Sequence, residues 1–216
     1  MSGPAATAGW SLGALHAAER EAAVQVLARA FRDNPLNLAV IGSDDPDRRR
    51  RANAHGLRSL LPVAQAHGRV RALHARGELA AVLIATAPDA HPLPPASLPA
   101  RLRCLFGQGL RVARRWAEVF EALAPLHPPE PHWYLGSLGV DPRQQGRGIG
   151  RALLADWLAE VDREPSSAYL ETDRPENVAF YERAGFVALG EARIFSVRVW
   201  RMYRQAGSGA QLRTRH

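Results

Sequence analysis

Between His132 and Val161 the chain passes from an extended apolar run, through a turn built on alternating glycines, directly into an amphipathic helix. The run is His132 to Val140. Asp141 and Pro142 close it, and Gln145 to Arg151 forms the turn and the start of the helix. Glycine has no Cβ, so Gly146, Gly148 and Gly150 let the backbone bend sharply and approach a ligand closely. Past the bend, Ile149, Leu153, Leu154, Trp157, Leu158 and Val161 share one stripe. That stripe packs on a sheet and leaves the helix N-terminus open, with Arg143, Arg147 and Arg151 nearby to favour a pyrophosphate. Alternating glycines alone also fit an ordinary tight strand-to-helix turn. Their spacing is not the Gly-x-Gly-x-x-Gly of dinucleotide folds, and the Lys-Ser/Thr pair of a P-loop is missing.

The remaining pattern is of mixed α and β character. Thr7 to Leu15 reads as a first strand, and Glu19 to Phe31 as a helix with apolar Ala22, Ala23, Val26, Leu27 and Ala30. Ser43 to Pro46 is a helix-start signal, so Asp47 to Ala66 is expected to be helical and to end at Gly68, with Arg48 to Arg51 on a solvated face. Val70 to Ala75 and Leu79 to Thr86 flank Arg76-Gly77 as a hairpin. Prolines from Ala87 to Pro99 mark a loop, and Leu102 to Leu123 is helical with a break possible at Gly107 or Gly109. Cys104 reads as a core residue. Ala168 to Thr172 is a short strand, Asn177 to Ala184 a short helix, and two strands follow from Phe186 to near Tyr203. A single domain over residues 1–204 is expected, with 205–216 a disordered tail.

Composition narrows the function classes. The chain has 216 residues, 46% of them hydrophobic and 23% charged, and no stretch reaches the ~18 to 20 apolar residues of a membrane helix. No secretory leader is evident and Cys104 is the only cysteine, so a soluble, cytoplasmic protein without disulfides or membrane association is expected. The eight histidines show no zinc-binding pairing, and no metal is expected. The net charge of +7 suits either nucleic acid or an anionic small ligand. All 28 basic residues are arginine, a bias that coding composition explains, and the aromatic pattern of an RNA-binding strand is missing. No nucleic-acid partner is expected.

Gln145-Gly146-Arg147-Gly148-Ile149-Gly150 resembles the acetyl-CoA signature of the GNAT superfamily of N-acetyltransferases, Gln/Arg-x-x-Gly-x-Gly/Ala. The segment from Leu170 through Asn177, Phe180 and Tyr181 to Gly185 and Phe186 is similar to that family's later motif. Trp133 to Leu135, Leu170 to Thr172 and Trp200 to Met202 look closest to the branch that includes puromycin N-acetyltransferase. The likeness covers about residues 132–203; the acceptor side, about 10–126, matches only in element order.

The resemblance implies an α/β (α+β) domain with a mixed sheet of about seven strands, flanked by helices and splayed between the fourth and fifth strands. It implies acetyl-CoA as cosubstrate. Leu138, Gly139 and Val140 would run along the pantetheine, and Arg143 with Gln145 to Arg151 would take the pyrophosphate. Asn177 and Phe180 would lie beside the cofactor, although Asn177 also suits a helix cap.

Tyr181 would protonate the leaving thiolate, with core packing its other role. Glu171 is the first choice of general base, with an arginine ion pair the alternative. Asp33 suits recognition of a cationic amine or a loop cap, and Trp10, Trp116 and His132 are candidates for the acceptor wall. The activity implied is transfer of acetyl to a primary amine of a small molecule by direct attack. Acetylation of a protein N-terminus or lysine, or an inactive acyl-CoA-binding regulatory domain, are the alternatives. A monomer or homodimer is expected.

Overall fold

A computed structural model describes residues 9–207, and the expected strand start at Thr7 and most of the expected tail lie outside them. In chain order the elements are β1 Trp10–Ala14, α1 Arg20–Ala30, α2 Pro35–Ile41, α3 Pro46–His67, β2 Arg69–Ala75 and β3 Glu78–Thr86. Then come α4 Leu98–Gln108, α5 Leu110–Leu123, β4 His132–Val140, α6 Ile149–Val161, β5 Ser167–Thr172, α7 Pro175–Glu182, β6 Val187–Ile194 and β7 Val197–Arg204. The seven strands form one sheet in the order β1-β2-β3-β4-β5-β7-β6, with β4 and β5 parallel and the other pairs antiparallel. The fold is a GNAT-like α/β domain, as the resemblance implies.

Local chemistry accounts for most boundaries. Asp45 caps α3 by accepting from the Asp47 N–H at 2.8 Å, and Pro46 fills the first helical position, where a missing N–H costs nothing. Arg76 and Gly77 turn the β2–β3 hairpin with φ of 54° and 81°. The break between α4 and α5 falls at Gly109, which has φ of 88°.

Three expectations need correction. Periodicity does not predict the short helix α2, because its seven residues make barely two turns and its stability comes from packing. Cys104 is half-buried on α4, a helix with no buried residue, and not in the core. Arg49, expected on a solvated face, donates to the Arg32, Ser43 and Asp44 carbonyls and to Asp33, tying α3 to the loops on either side of α2.

The sheet divides the core. On one face Leu73, Leu83, Trp133, Leu135, Leu170 and Met202 meet Ile149, Leu153, Trp157 and Val161 of α6 and Tyr181 of α7. On the other, α1 and α3 cover β2 and β3, while α2, α3 and α5 pack with Ile194 and Val199 of the β6–β7 hairpin. Each large apolar side chain buried this way contributes roughly 1.5–3 kcal/mol. No helix among the described residues is long and apolar enough to cross a membrane.

Candidate active site

β4 and β5 pair over only three rungs, His132 with Ser167, Trp133 with Ala168 and Tyr134 with Tyr169. Beyond them β4 continues to Val140 against β3 alone, and β5 continues to Thr172 against β7 alone. A wedge opens between two parallel strands. At its vertex the β3–β4 register shifts, because Ala85 faces Leu135 and Ile84 faces Ser137, leaving Gly136 as a bulged residue without a partner. Asp141 donates its N–H to the Ala80 carbonyl at 2.8 Å. Main-chain groups of an antiparallel strand alternate sides, so Gly139 bonds towards β3 while the N–H and C=O of Leu138 and Val140 face the wedge.

The mouth of the wedge is the glycine turn. Gly146 and Gly148 sit at φ of 76° and 80°, conformations that strain any residue with a Cβ. Gly148 is the N-cap of α6, so the first N–H groups of that helix have no intrahelical acceptor and point out of the turn. Gly150 has a different reason. A Cβ there would lie 3.3 Å from Val140 Cγ2 and 3.9 Å from the Phe180 ring, which places Phe180 of α7 against the end of β4. Gly139 is a packing residue too, since a Cβ would come within 2.7 Å of Leu27 Cδ2 on α1.

Buried Asp141 fixes the turn from beneath. It accepts from the Arg143 backbone N–H at 3.0 Å, from the Arg143 guanidinium at 3.0 and 3.1 Å, and from Arg29 at 2.6 and 3.1 Å. Burial works to raise this carboxyl, but Arg143 and Arg29 outweigh it and hold it well below the usual carboxylate range. Gln145 folds back so that Nε2 donates to the Val140 carbonyl at 3.1 Å, and Arg147 donates to Gln144 Oε1 at 2.9 Å. Arg143 is therefore committed to an ion pair, while Arg147 and exposed Arg151 remain beside the helix N-terminus.

Glu171 lies at the vertex on the opposite face from Leu170 and Thr172, with a side chain only 6% exposed. Burial pushes its carboxyl up to about 7, although hydrogen bonds from the Tyr134 and Tyr169 phenols, and Arg201 at longer range, work to lower it. Among the described residues no arginine forms an ion pair with it. Its Oε1 is buried without a hydrogen bond, and His127 Nε2 stands 3.4 Å away. Burial also lowers His127, to about 4, helped by His91 and His132.

Residues 111–188 match the family model for the acetyltransferase (GNAT) domain. Those residues resemble a GNAT acetyltransferase domain. A solved structure described as histone acetyltransferase HPA2 and related acetyltransferase, from Corynebacterium glutamicum, superposes with a TM-score of 0.68 at 24% identity, covering 92% of this chain and 97% of that one. Mycothiol acetyltransferase of Clavibacter sepedonicus is 46% identical over 52 residues, 23% of this chain and 17% of the relative. N-alpha-acetyltransferase RimI of Mycobacterium tuberculosis is 37% identical over 84 residues, 38% of this chain and 48% of the relative. The matched region thus spans less than half the length of either curated relative.

Within the matched region, Tyr181 is buried on the α6–α7 face, its ring edge-on to Phe180 at 5.0 Å and Phe186 at 5.8 Å. Burial raises its phenol well above the usual value. Tyr181 and Glu171 therefore flank the wedge from opposite faces. Asn177 is the third residue of α7 and not its cap: Arg174 holds that position, and the Asn177 amide donates to Thr172 Oγ1 at 3.1 Å. Asp33 accepts from Arg32 at 2.6 Å and from Arg49 at 2.7 Å, which makes it a loop clamp. Trp10 lies 3.9 Å from the position a Cβ on Gly148 would occupy, beside the turn. Trp116 packs on the cluster formed by α2, α3, α5 and the β6–β7 hairpin.

Three features of the structure carry no local signal in the sequence. Asp173, 8% exposed, accepts from the Leu36 N–H at 2.8 Å and so caps α2 from the end of β5. The β6–β7 tip, Phe195 and Ser196, sits at φ of 49° and 67° with Arg115 of α5 stacked 3.9 Å over the Phe195 ring. His91, His127, Tyr134 and Tyr169 form a cluster of rings next to Glu171. No composition or spacing signal joins these residues, because they come from two loops and two strands. Among the described residues no cluster of His, Cys, Asp and Glu is arranged to hold a metal ion.

Proposed function

We propose that the chain is an acyl-CoA-dependent N-acetyltransferase that moves acetyl from acetyl-CoA to a primary amine of a small molecule by direct attack. The observation that carries this is the opened β4–β5 pair, with the glycine turn at its mouth and a buried, proton-hungry carboxylate at its vertex. The acetyltransferase match and the acetyltransferase names of the relatives support an acyltransferase enzyme.

Acetyl-CoA lies in the wedge as an added strand. Leu138 and Val140 meet the pantetheine amides through backbone groups, and Gly139 and Phe180 shape the channel. The N–H groups from Gly146 to Arg151, Arg147 and Arg151 hold the diphosphate. Gln145 and Arg143 keep the turn in shape, and Asn177 steadies Thr172 beside the channel.

Holding amine and thioester together supplies much of the rate. Glu171 takes a proton from the ammonium, and the neutral amine adds to the carbonyl, whose oxyanion is met by wedge-facing N–H groups. Tyr181 gives its proton to the departing sulfur and regains one from the acetylated nitrogen. The balance is amide, free thiol and one proton released through Glu171.

Two observations favour a small acceptor. α5 packs on α2, α3 and the β6–β7 tip, with Arg115 over Phe195, which favours a covered acceptor side over an open groove. The segments that resemble the puromycin N-acetyltransferase branch point the same way. The 84-residue likeness to a protein N-alpha-acetyltransferase favours a second reading, acetylation of a protein N-terminus.

Thiol release from acetyl-CoA, measured against aminonucleosides, polyamines and N-terminal peptides, tests both. Turnover with peptides alone would replace the first reading with the second. Calorimetry showing no CoA binding would overturn both.

A further inference from the structure

Glu171 does not stand alone at the vertex. His132 Nδ1 lies 2.7 Å from the Glu130 carbonyl oxygen, His132 Nε2 lies 3.2 Å from His127 Nδ1, and His127 Nε2 lies 3.4 Å from the otherwise unpartnered Glu171 Oε1. A carbonyl only accepts, so His132 Nδ1 carries a proton. If His132 is neutral, its Nε2 is then an acceptor, so the proton of neutral His127 sits on Nδ1 and its Nε2 presents a lone pair to Glu171. The row has three junctions, and two neutral imidazoles supply only two protons. The third must come from outside.

We propose that His127 and His132 extend Glu171 into a three-membered proton relay that receives the acceptor's ammonium proton and shares it among the three groups, beside a cleft that His127 lines. This rests on the amine-acetylation reading above. With one added proton every junction can be hydrogen-bonded, and the proton can reside on Glu171, His127 or His132 without movement of a heavy atom.

In the first case Glu171 O–H donates to His127 Nε2. In the second the carboxylate accepts from a cationic His127. In the third neutral His127 donates Nε2–H to the carboxylate while cationic His132 donates to His127 Nδ1 and to the Glu130 carbonyl. Without the added proton, one junction sets lone pair against lone pair. The 3.4 Å contact is long, as catalytic contacts in an empty site often are, and shortens when the proton arrives.

The surroundings suit proton passage. Tyr134 of β4, Tyr169 of β5 and Arg201 of β7 face the carboxylate, and His91 stacks on His127 with ring centroids 4.6 Å apart. His127 lines a cleft of about 300 Å³ together with Glu130, Arg201 and Tyr203. Tyr203 donates to Glu130 Oε1 at 3.0 Å, and Arg201 donates to the Leu126 carbonyl at 3.3 Å, fixing the loop that carries His127. Burial favours the proton on Glu171 over His127 at rest. His127 and His132 are thus positioning residues that act through Glu171.

The test uses the whole chain, acetyl-CoA and the best amine of the panel. In the wild type, kcat/KM should rise with pH along one limb near neutrality. His127→Gln donates an N–H to the carboxylate but passes no proton. It should lower kcat/KM by roughly ten- to a hundredfold, move the limb to lower pH and leave CoA affinity unchanged. His132→Gln should lose less, and added imidazole should restore part of the rate to His127→Ala.

A His127→Gln protein with wild-type rate and limb, beside an inactive Glu171→Gln, would refute the relay while leaving acetyl transfer intact. Should the variants fail to fold, nitrogen-15 spectra of the wild type at pH 6 decide. The relay requires the Nδ1–H tautomer at both rings when both are neutral, and an Nε2–H tautomer at His127 beside a neutral His132 would overturn it. A wild type that releases no thiol with any amine removes the relay together with the reading beneath it, before any variant is made.

Discussion

Glu171→Gln should make the protein more stable at alkaline pH while abolishing most of its turnover. Burial raises this carboxyl from the ordinary 4.5 to about 7. A group whose pKa is raised by folding contributes stability that is complete below its unfolded value and is lost as pH rises through its folded value. The wild type therefore loses stability from pH 4.5 to about 7. At roughly 1.4 kcal/mol for each pH unit the loss comes to about 3 kcal/mol.

Glutamine stays neutral and avoids that loss, although its buried amide must also find partners, so about 3 kcal/mol is an upper bound. His127, lowered to about 4, contributes in the opposite sense. Its contribution is present above 6.5 and falls away towards pH 4, and it largely cancels when variant and wild type are compared at one pH. Urea unfolding at pH 5 and pH 8 measures the effect: little gain is expected at pH 5 and a clear one at pH 8. Thiol release should drop by roughly a hundredfold or more, with CoA affinity unchanged. A variant no more stable than wild type at pH 8 would show that Glu171 is not held against its charge, and the argument for it as base would lose its footing.

Other perturbations probe the remaining parts. Tyr181→Phe should keep CoA affinity and lower kcat by roughly ten- to a hundredfold, read from calorimetry and thiol release on one preparation; unchanged turnover would leave Tyr181 a packing residue. Gly148→Ala strains the turn at φ of 80° by about 1 kcal/mol and should weaken CoA binding more than it lowers unfolding stability, whereas equal losses would mean the turn matters only for folding. Gly139→Ala drives a Cβ into Leu27 and should cost about 1–3 kcal/mol in urea unfolding; a smaller cost would mean that α1 moves away easily. For Asp141 the folded carboxyl is depressed by Arg143 and Arg29 against its burial, so its stability is present above pH 3.8 and fades as pH falls further. Asp141→Asn should cost about 2 kcal/mol at pH 7 and flatten acid unfolding below pH 4, and an acid transition identical to wild type would count against the clamp.

Much of the proposed CoA side is legible in the residues, because it is built from consecutive chain. Extended His132 to Val140, the glycine bend and the stripe of α6 follow one another without interruption, and local periodicity and glycine chemistry determine such a unit wherever it packs. Glu171, too, could be placed on its face from strand alternation alone. Three-dimensional packing decided the rest. It decided that β4 and β5 part after three rungs, that Gly136 bulges there, that Asp33 is spent on two arginines and that α2 exists at all. It also gathered His91, His127, His132, Tyr134 and Tyr169 around one carboxylate. A residue's order along the chain determines its periodicity and backbone preference, whereas its desolvation and its proton partners depend on segments far away in sequence, and only folding brings those into contact.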